Sequence, residues 1–366
     1  MEHGRARPRA QRSGRIFAVK SLLTSTDTGL GERWADCPGG TSMKLSPLVS
    51  LAAAVSVWPA AQAGLIFQFD YSYDTSGFFT DSRKAVLELA ASYLEARIED
   101  NLAAIPANSG AQTWKPVFNN PSSGAQVQLT GVSIPSQTMV VYVGARDIGG
   151  GTLAQATFAT SVTAFSGATG DPWRTTVFGR GQSGVDIYPN VDPNTSTDFG
   201  PWGGSISFST AFNWYFDSDV STVDVPGNRY DFFSVAVHEM GHLLGIGTAA
   251  SWTRQVSGTT FNGPNSIAAN GGTAPTVQTG GGHWANGVTS DLPGTITPQE
   301  TALDPDIIQG VRKWYTDLDW AALQDIGWQV TPVPEPGDTL VFAGVGLGLF
   351  VLFRRRRSAS RSGWMP

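Results

Sequence analysis

Apolar residues in this chain come in runs of different period, and the period separates strands from helices. Residues 65–71 are dense in aliphatic and aromatic side chains and predict a strand. After Asp81, a good helix N-cap, apolar positions recur on a helical period through Leu87, Ala90, Leu94 and Ile98 to Leu102 and Ile105. Residues 127–134 and 138–143 read as strands, and Gly149-Gly150-Gly151 breaks the chain. That glycine run lacks the G-K-[ST] or strand–GxGxxG–helix setting of a phosphate cradle, so it reads as a turn. Residues 205–210 alternate as a strand does. The most continuously apolar stretch, 232–244, predicts a buried helix with Asp231 as N-cap and Gly245 just past its end. Residues 246–283 are rich in Gly, Ser, Thr and Asn and read as one long loop; 315–328 read as a short capped helix ending at Gly327. Together these elements predict a single α+β domain over residues 64–331.

The two ends follow other patterns. Residues 1–42 are rich in Arg, Gly and Ser, show no sustained period and carry the only cysteine, Cys37. Met43-Lys44 then opens a short apolar run, 45–57, followed by the small-residue cleavage site Ala61-Gln62-Ala63. That is the pattern of a secretory signal peptide over 43–63. Translation is therefore expected to start at Met43, with 1–42 a leader outside the natural product; a long n-region is the alternative. The mature chain then begins near Gly64 without cysteine, needs no disulfide, and has no thiolate with which to hold a metal latent. Beyond 331, Val333-Pro334-Glu335-Pro336 precedes an apolar run of fifteen residues, 339–353, and the four arginines 354–357. The run is shorter than the roughly 20 residues that span a bilayer comfortably, and the arginines mark a cytoplasmic side.

Charge narrows the partners. Residues 64–353 hold 26 Asp+Glu and 11 Lys+Arg, a net of −15, against −6 for the whole chain. So acidic a domain argues against nucleic acid and fits a soluble extracellular protein. It also leaves carboxylates for Ca²⁺: Asp186, Asp192, Asp198, Asp217 and Asp219 fall in expected loops, and oxygen ligands suit that ion. Their spacing is not that of an EF-hand, and solvated loop carboxylates are the plainer reading.

The candidate chemistry lies in the apolar helix, which contains His238-Glu239-Met240-Gly241-His242. In a helix, His238 and His242 stand one turn apart on one face. Two imidazoles at that spacing can bind one Zn²⁺, and Glu239 beside them can take a proton from a water at the metal. The plain alternative is a core helix with two satisfied histidines. A catalytic zinc site usually needs a third protein ligand and an open position. The extended motif H-E-x-x-H-x-x-G-x-x-H would place it at position 248, which is Thr248. From Leu243 to Ser290 there is no Asp or Glu, and the chain's four histidines are His3, His238, His242 and His283. His3 lies in the leader, so elimination points to His283 as third ligand; a loop histidine packed on Trp284 is the alternative.

His238-Glu239-x-x-His242-x-x-Gly245 resembles the helix of metzincin zinc peptidases, with a third histidine displaced by an insertion as in leishmanolysin-like members. The pair His283-Trp284 is similar to one found in bacterial metalloproteases with a PEP-CTERM tail. The resemblance covers roughly residues 64–331. It implies a metzincin-like fold: a mixed twisted sheet, a long helix, an active-site helix and a smaller irregular C-terminal lobe, with the cleft between. It implies a secreted zinc endopeptidase, with His238, His242 and His283 as ligands, Glu239 as general base and a protein or peptide as substrate. It places a turn under the metal at residues 301–306, with Leu303 where the family has Met. It also implies an edge strand before the zinc helix that pairs with extended substrate, here Gly204, Ser205, Ile206 and Ser207; an ordinary strand is the alternative there. The tail 332–366 resembles a PEP-CTERM sorting signal, read by exosortase-type enzymes of Gram-negative bacteria. That implies processing at the membrane and delivery to the cell surface or extracellular matrix; a plain membrane anchor is the alternative. Against the peptidase stands a surface-anchored binding or matrix protein with a structural zinc site, which the departures at Thr248 and Leu303 keep open.

Overall fold

The computed structural model describes residues 64–107, 112–158, 160–164, 172–185, 192 and 194–332. The expected leader, signal peptide and C-terminal tail, together with Asp186, lie outside the described residues. Among those described, no helix is long and apolar enough to cross a membrane.

The architecture is mixed α+β. Its central sheet has four strands in the order β1-β4-β7-β5: β1 (Ile66–Asp70), β4 (Thr138–Arg146) and β7 (Gly203–Ser209) run parallel, and β5 (Ala154–Phe158) is antiparallel to β7. A second, antiparallel sheet joins β3 (Gln126–Gln128), β2 (Thr113–Asn119) and β6 (Thr160–Ala164). β4 is buried on both faces, which is why its sequence is continuously apolar rather than alternating. Met139, Val141 and Val143 face the main core with helices α1 (Asp81–Glu95) and α3 (Phe232–Leu243); Val140 and Tyr142 face Trp114, Phe118 and Trp202 of a second core. In sequence, α2 (Pro172–Gly179) follows β6 and precedes β7.

Several expectations shift. The helix opening at Asp81 has Thr80 at its N-cap position, without a side-chain capping bond, and stops at Glu95, so Ile98, Leu102 and Ile105 are buried outside it. Ile98 bridges Val330 and Ile105 bridges Ile134, and these long-range pairings override the helical period. The strand expected over 127–134 keeps only β3 and then bends at Gly131, which has φ +71°.

The segment after α3 differs most from expectation. The long loop of 246–283 contains α4 (Ala250–Gln255), a hairpin of β10 (Val256–Ser257) and β11 (Thr260–Phe261), and α5 (Pro264–Ala269). Trp252, Phe261 and Trp284, all at 1% exposure or less, organise it: Trp252 stacks on Phe261 at 4.2 Å, and Trp284 meets both rings edge-on at 5.2 and 5.4 Å. A second hairpin, β12 (Thr289–Asp291) with β13 (Pro298–Glu300), leads to α6 (Asp317–Asp325). Thr316 and Asp319 form a capping box at the start of α6. The remaining pair, β8 (Trp214–Tyr215) and β9 (Tyr230–Asp231), lies just before α3.

Candidate metal centre and cleft

Helix α3 forms because its ends are specified and almost every side chain is buried. Asp231 caps it, accepting from Ser234 N–H at 3.1 Å. Arg312 grips the same carboxylate at 3.1 and 2.9 Å and also reaches Asp217 at 2.9 Å, a buried ion-pair network tying the helix start to the C-terminal segment. Phe232 anchors the first turn in an aromatic cluster, with Phe208 and Phe216 at 4.6 Å and Trp214 at 5.6 Å. The helix is therefore held at its N-terminal end, and its second and third turns present His238, Glu239 and His242 to a cleft of about 710 Å³.

Three histidines meet there. Nε2 of His242 lies 3.2 Å from Nε2 of His238 and 3.0 Å from Nε2 of His283. Each Nδ1 faces an oxygen: Ala302 C=O at 2.7 Å for His238, Ile246 C=O at 2.8 Å for His242, and Gln278 Oε1 at 3.0 Å for His283. Carbonyl oxygens only accept, so each Nδ1 carries the proton and each Nε2 presents a lone pair. The contacts between Nε2 atoms are then lone pair against lone pair, not hydrogen bonds. Burial holds all three rings below their usual pKa, with the neighbouring histidines adding to the effect for His238 and His242; His242 falls to about 4. Three neutral donors brought together in this way could hold a metal ion. The two separations from His242 approach the roughly 3.3 Å expected between ligands about 2.0–2.1 Å from a tetrahedral metal, and all three ligand atoms lie within 4.8 Å of one another. Among the described residues, this is the only group of three or more His, Cys, Asp or Glu side chains whose ligand atoms converge. Among the described residues, the carboxylates suggested for calcium form no such group: Asp217 is bound to Arg312, and Asp192 and Asp219 accept from their own loops.

Glu239 lies in the same cleft, 5% exposed. Burial pushes its carboxyl up to about 8, and a hydrogen bond from Ala156 N–H pulls the other way. His283 reaches the cleft from the far side because Gly247 lets the 280–283 turn approach the end of α3: a Cβ on Gly247 would collide with Gly282 C=O. Thr248, where the extended motif has its third histidine, instead donates from Oγ1 to His242 C=O at 2.7 Å and closes the helix end. Leu303 is fully buried beneath α3, and a Cβ on Gly241 would lie 3.0 Å from its methyls, so the glycine admits the turn.

The expected substrate strand is corrected. Gly204, Ser205, Ile206 and Ser207 lie in β7, whose backbone is paired with β4 on one side and β5 on the other. No ladder remains for a peptide, and Ser205 and Ser207 donate their hydroxyls to Asn119 C=O and Pro121 C=O, away from the cleft. The edge strand on the cleft side of the sheet is β5, and Ala154, Gln155 and Ala156 line the cleft beside Glu239. The alternation in 153–158 is too short to identify it from sequence, and nothing local encodes strand order. Lys313, also unforeseen, is buried on the cleft wall with its ammonium on Glu300 at 2.9 Å.

Compared with family models, curated proteins and solved structures, the chain matches none.

Proposed function

We propose that the chain is a zinc-dependent endopeptidase of metzincin-like fold. The observation that supports this most is the convergence of three unprotonated Nε2 atoms beside a buried glutamate in an open cleft. The donor set fits the ion: three neutral imidazoles, each oriented by an acceptor behind it, suit Zn²⁺. Bound to His238, His242 and His283, Zn²⁺ supplies Lewis acidity, polarising a carbonyl and acidifying a water.

The rest belongs to the chain. β5 offers its outer backbone edge, apart from the Ala156 N–H held by Glu239, to an extended peptide, which adds as a strand and lays its scissile bond beside Glu239. Glu239 takes the proton from the attacking water as the new C–O bond forms, then gives it to the amine as the C–N bond breaks. With a cation held by the three histidines, the carboxyl pKa of Glu239 would fall and Glu239 would be ready as a base. The acidic domain, signal peptide and sorting tail make this a secreted enzyme carried to the surface of a Gram-negative cell by an exosortase-type partner.

The test is cleavage of an unfolded protein by purified protein with and without a chelator, alongside Glu239→Gln. Chelator-sensitive cleavage lost in Glu239→Gln supports the enzyme. Metal uptake without cleavage in the parent overturns it in favour of the surface-binding protein with a structural site.

A further inference from the structure

The mechanism makes no use of the buried carboxylate of Asp319. Asp319, fully buried in α6, forms no ion pair with a cation among the described residues; it accepts hydrogen bonds instead. Its Oδ2 takes Ala302 N–H at 2.8 Å, Thr316 N–H at 2.9 Å and Thr316 Oγ1 at 2.9 Å. Its Oδ1 takes Trp284 Nε1 at 3.0 Å and Leu303 N–H at 3.3 Å. The capping box explains only the two bonds to Thr316. The other three lead to the metal centre. Ala302 is the residue whose carbonyl orients His238, and Trp284 follows His283 directly.

His283 needs such a tether. It comes after Gly280-Gly281-Gly282, a run with no intrinsic conformation to hold a ring in place. Trp284 is held at both ends, by its indole on Asp319 and by its backbone N–H on Leu303 C=O at 3.1 Å. We propose that Trp284 and Asp319 are positioning residues for the centre: the pair registers His283, and the same carboxylate sets His238 through the 302–303 turn. Two ligands that arrive from α3 and from a glycine-rich loop are thereby referred to one group. The proposal rests on the three-histidine metal reading.

The test uses Trp284→Phe, which keeps an aromatic ring against Trp252 and Phe261 but removes the donor, and Asp319→Asn. Metal affinity is measured by competition with a chelating dye, and ligand geometry by the visible spectrum of the Co²⁺-loaded protein. Trp284→Phe is expected to weaken affinity about tenfold, the low end for loss of an outer-shell partner, and to change the Co²⁺ bands. In a His283→Ala background it is expected to change nothing further. Asp319→Asn is expected to weaken affinity more. Parent-like affinity and bands in Trp284→Phe overturn the proposal, as does an effect that persists in full without His283. A parent that takes up no metal overturns the metal reading instead. Hydrogen exchange of the metal-free proteins then decides the pair: faster exchange over 278–285 in Trp284→Phe with α3 unchanged supports it, and equal exchange overturns it.

Discussion

The two sides of the cleft are built by different physics. The side before Leu244 is a layered structure, in which α1 and α3 pack on a sheet buried on both faces and position depends on many apolar contacts. It supplies His238, Glu239, His242 and the β5 edge. The side after Leu244 has short elements and is held by an aromatic trio and by buried carboxylates that each satisfy several backbone donors. It supplies His283, the Ala302 carbonyl and Leu303. On the layered side position is shared among many apolar contacts; on the other it is referred to a few buried carboxylates.

Substitutions can break this comparison, and the largest effect is on chemistry. Glu239→Gln should lower peptide cleavage about 10²–10⁴-fold, the usual contribution of a general base, with metal content unchanged. Parallel turnover and metal analysis would check it, and lost metal would move Glu239 from chemistry to site assembly. Next is Phe232→Ala on the layered side. It should cost about 3–5 kcal/mol in denaturant unfolding, as for a buried aromatic, and destabilise the domain as a unit. Thr316→Ala, on the other side, should cost about 1 kcal/mol through loss of the α6 cap. Hydrogen exchange should show that loss concentrated in 301–328, whereas a uniform loss would mean the two sides melt together.

The smallest effect tests the seam. Asp100 accepts from Gln329 N–H at 3.1 Å, and Asp198 lies against Gly327. Burial raises both carboxyls from 3.8 to about 6, and the Asp198 charge adds to the shift of Asp100. The native state then holds protons that the unfolded chain has released between about pH 4 and 6. This contribution to stability is present below that window and is lost as pH rises through it. Asp198→Asn should flatten that part of a stability-versus-pH curve; an unchanged slope would place its origin elsewhere.

Much of the centre was legible because its signals are local. The i, i+4 histidines, the Asp231 cap, the apolar body of α3 and the glycine after it are all short-range in sequence. His283 was reachable only because the chain is poor in alternatives. The neighbouring expectations that missed all depend on what lies across from a segment. Gly204–Ser207 alternate like an edge strand, but β5 covers them. Ile98 to Ile105 continue a helical period, but strand-like bridges to Val330 and Ile134 take them. The glycine-rich 246–283 region folds because three separated aromatic residues find one another.

By itself, the sequence determined the helix carrying His238, Glu239 and His242, its caps, the acidic character of the domain and the histidines available as ligands, since these depend on residue type and on spacing within one element. Only the tertiary structure decided which strand edge faces the cleft, which oxygens hold the ring protons, and how a loop histidine some forty residues downstream comes within 3.0 Å of the helix. Those follow from strand order and from hydrogen bonds between distant segments, and neither has a local signature.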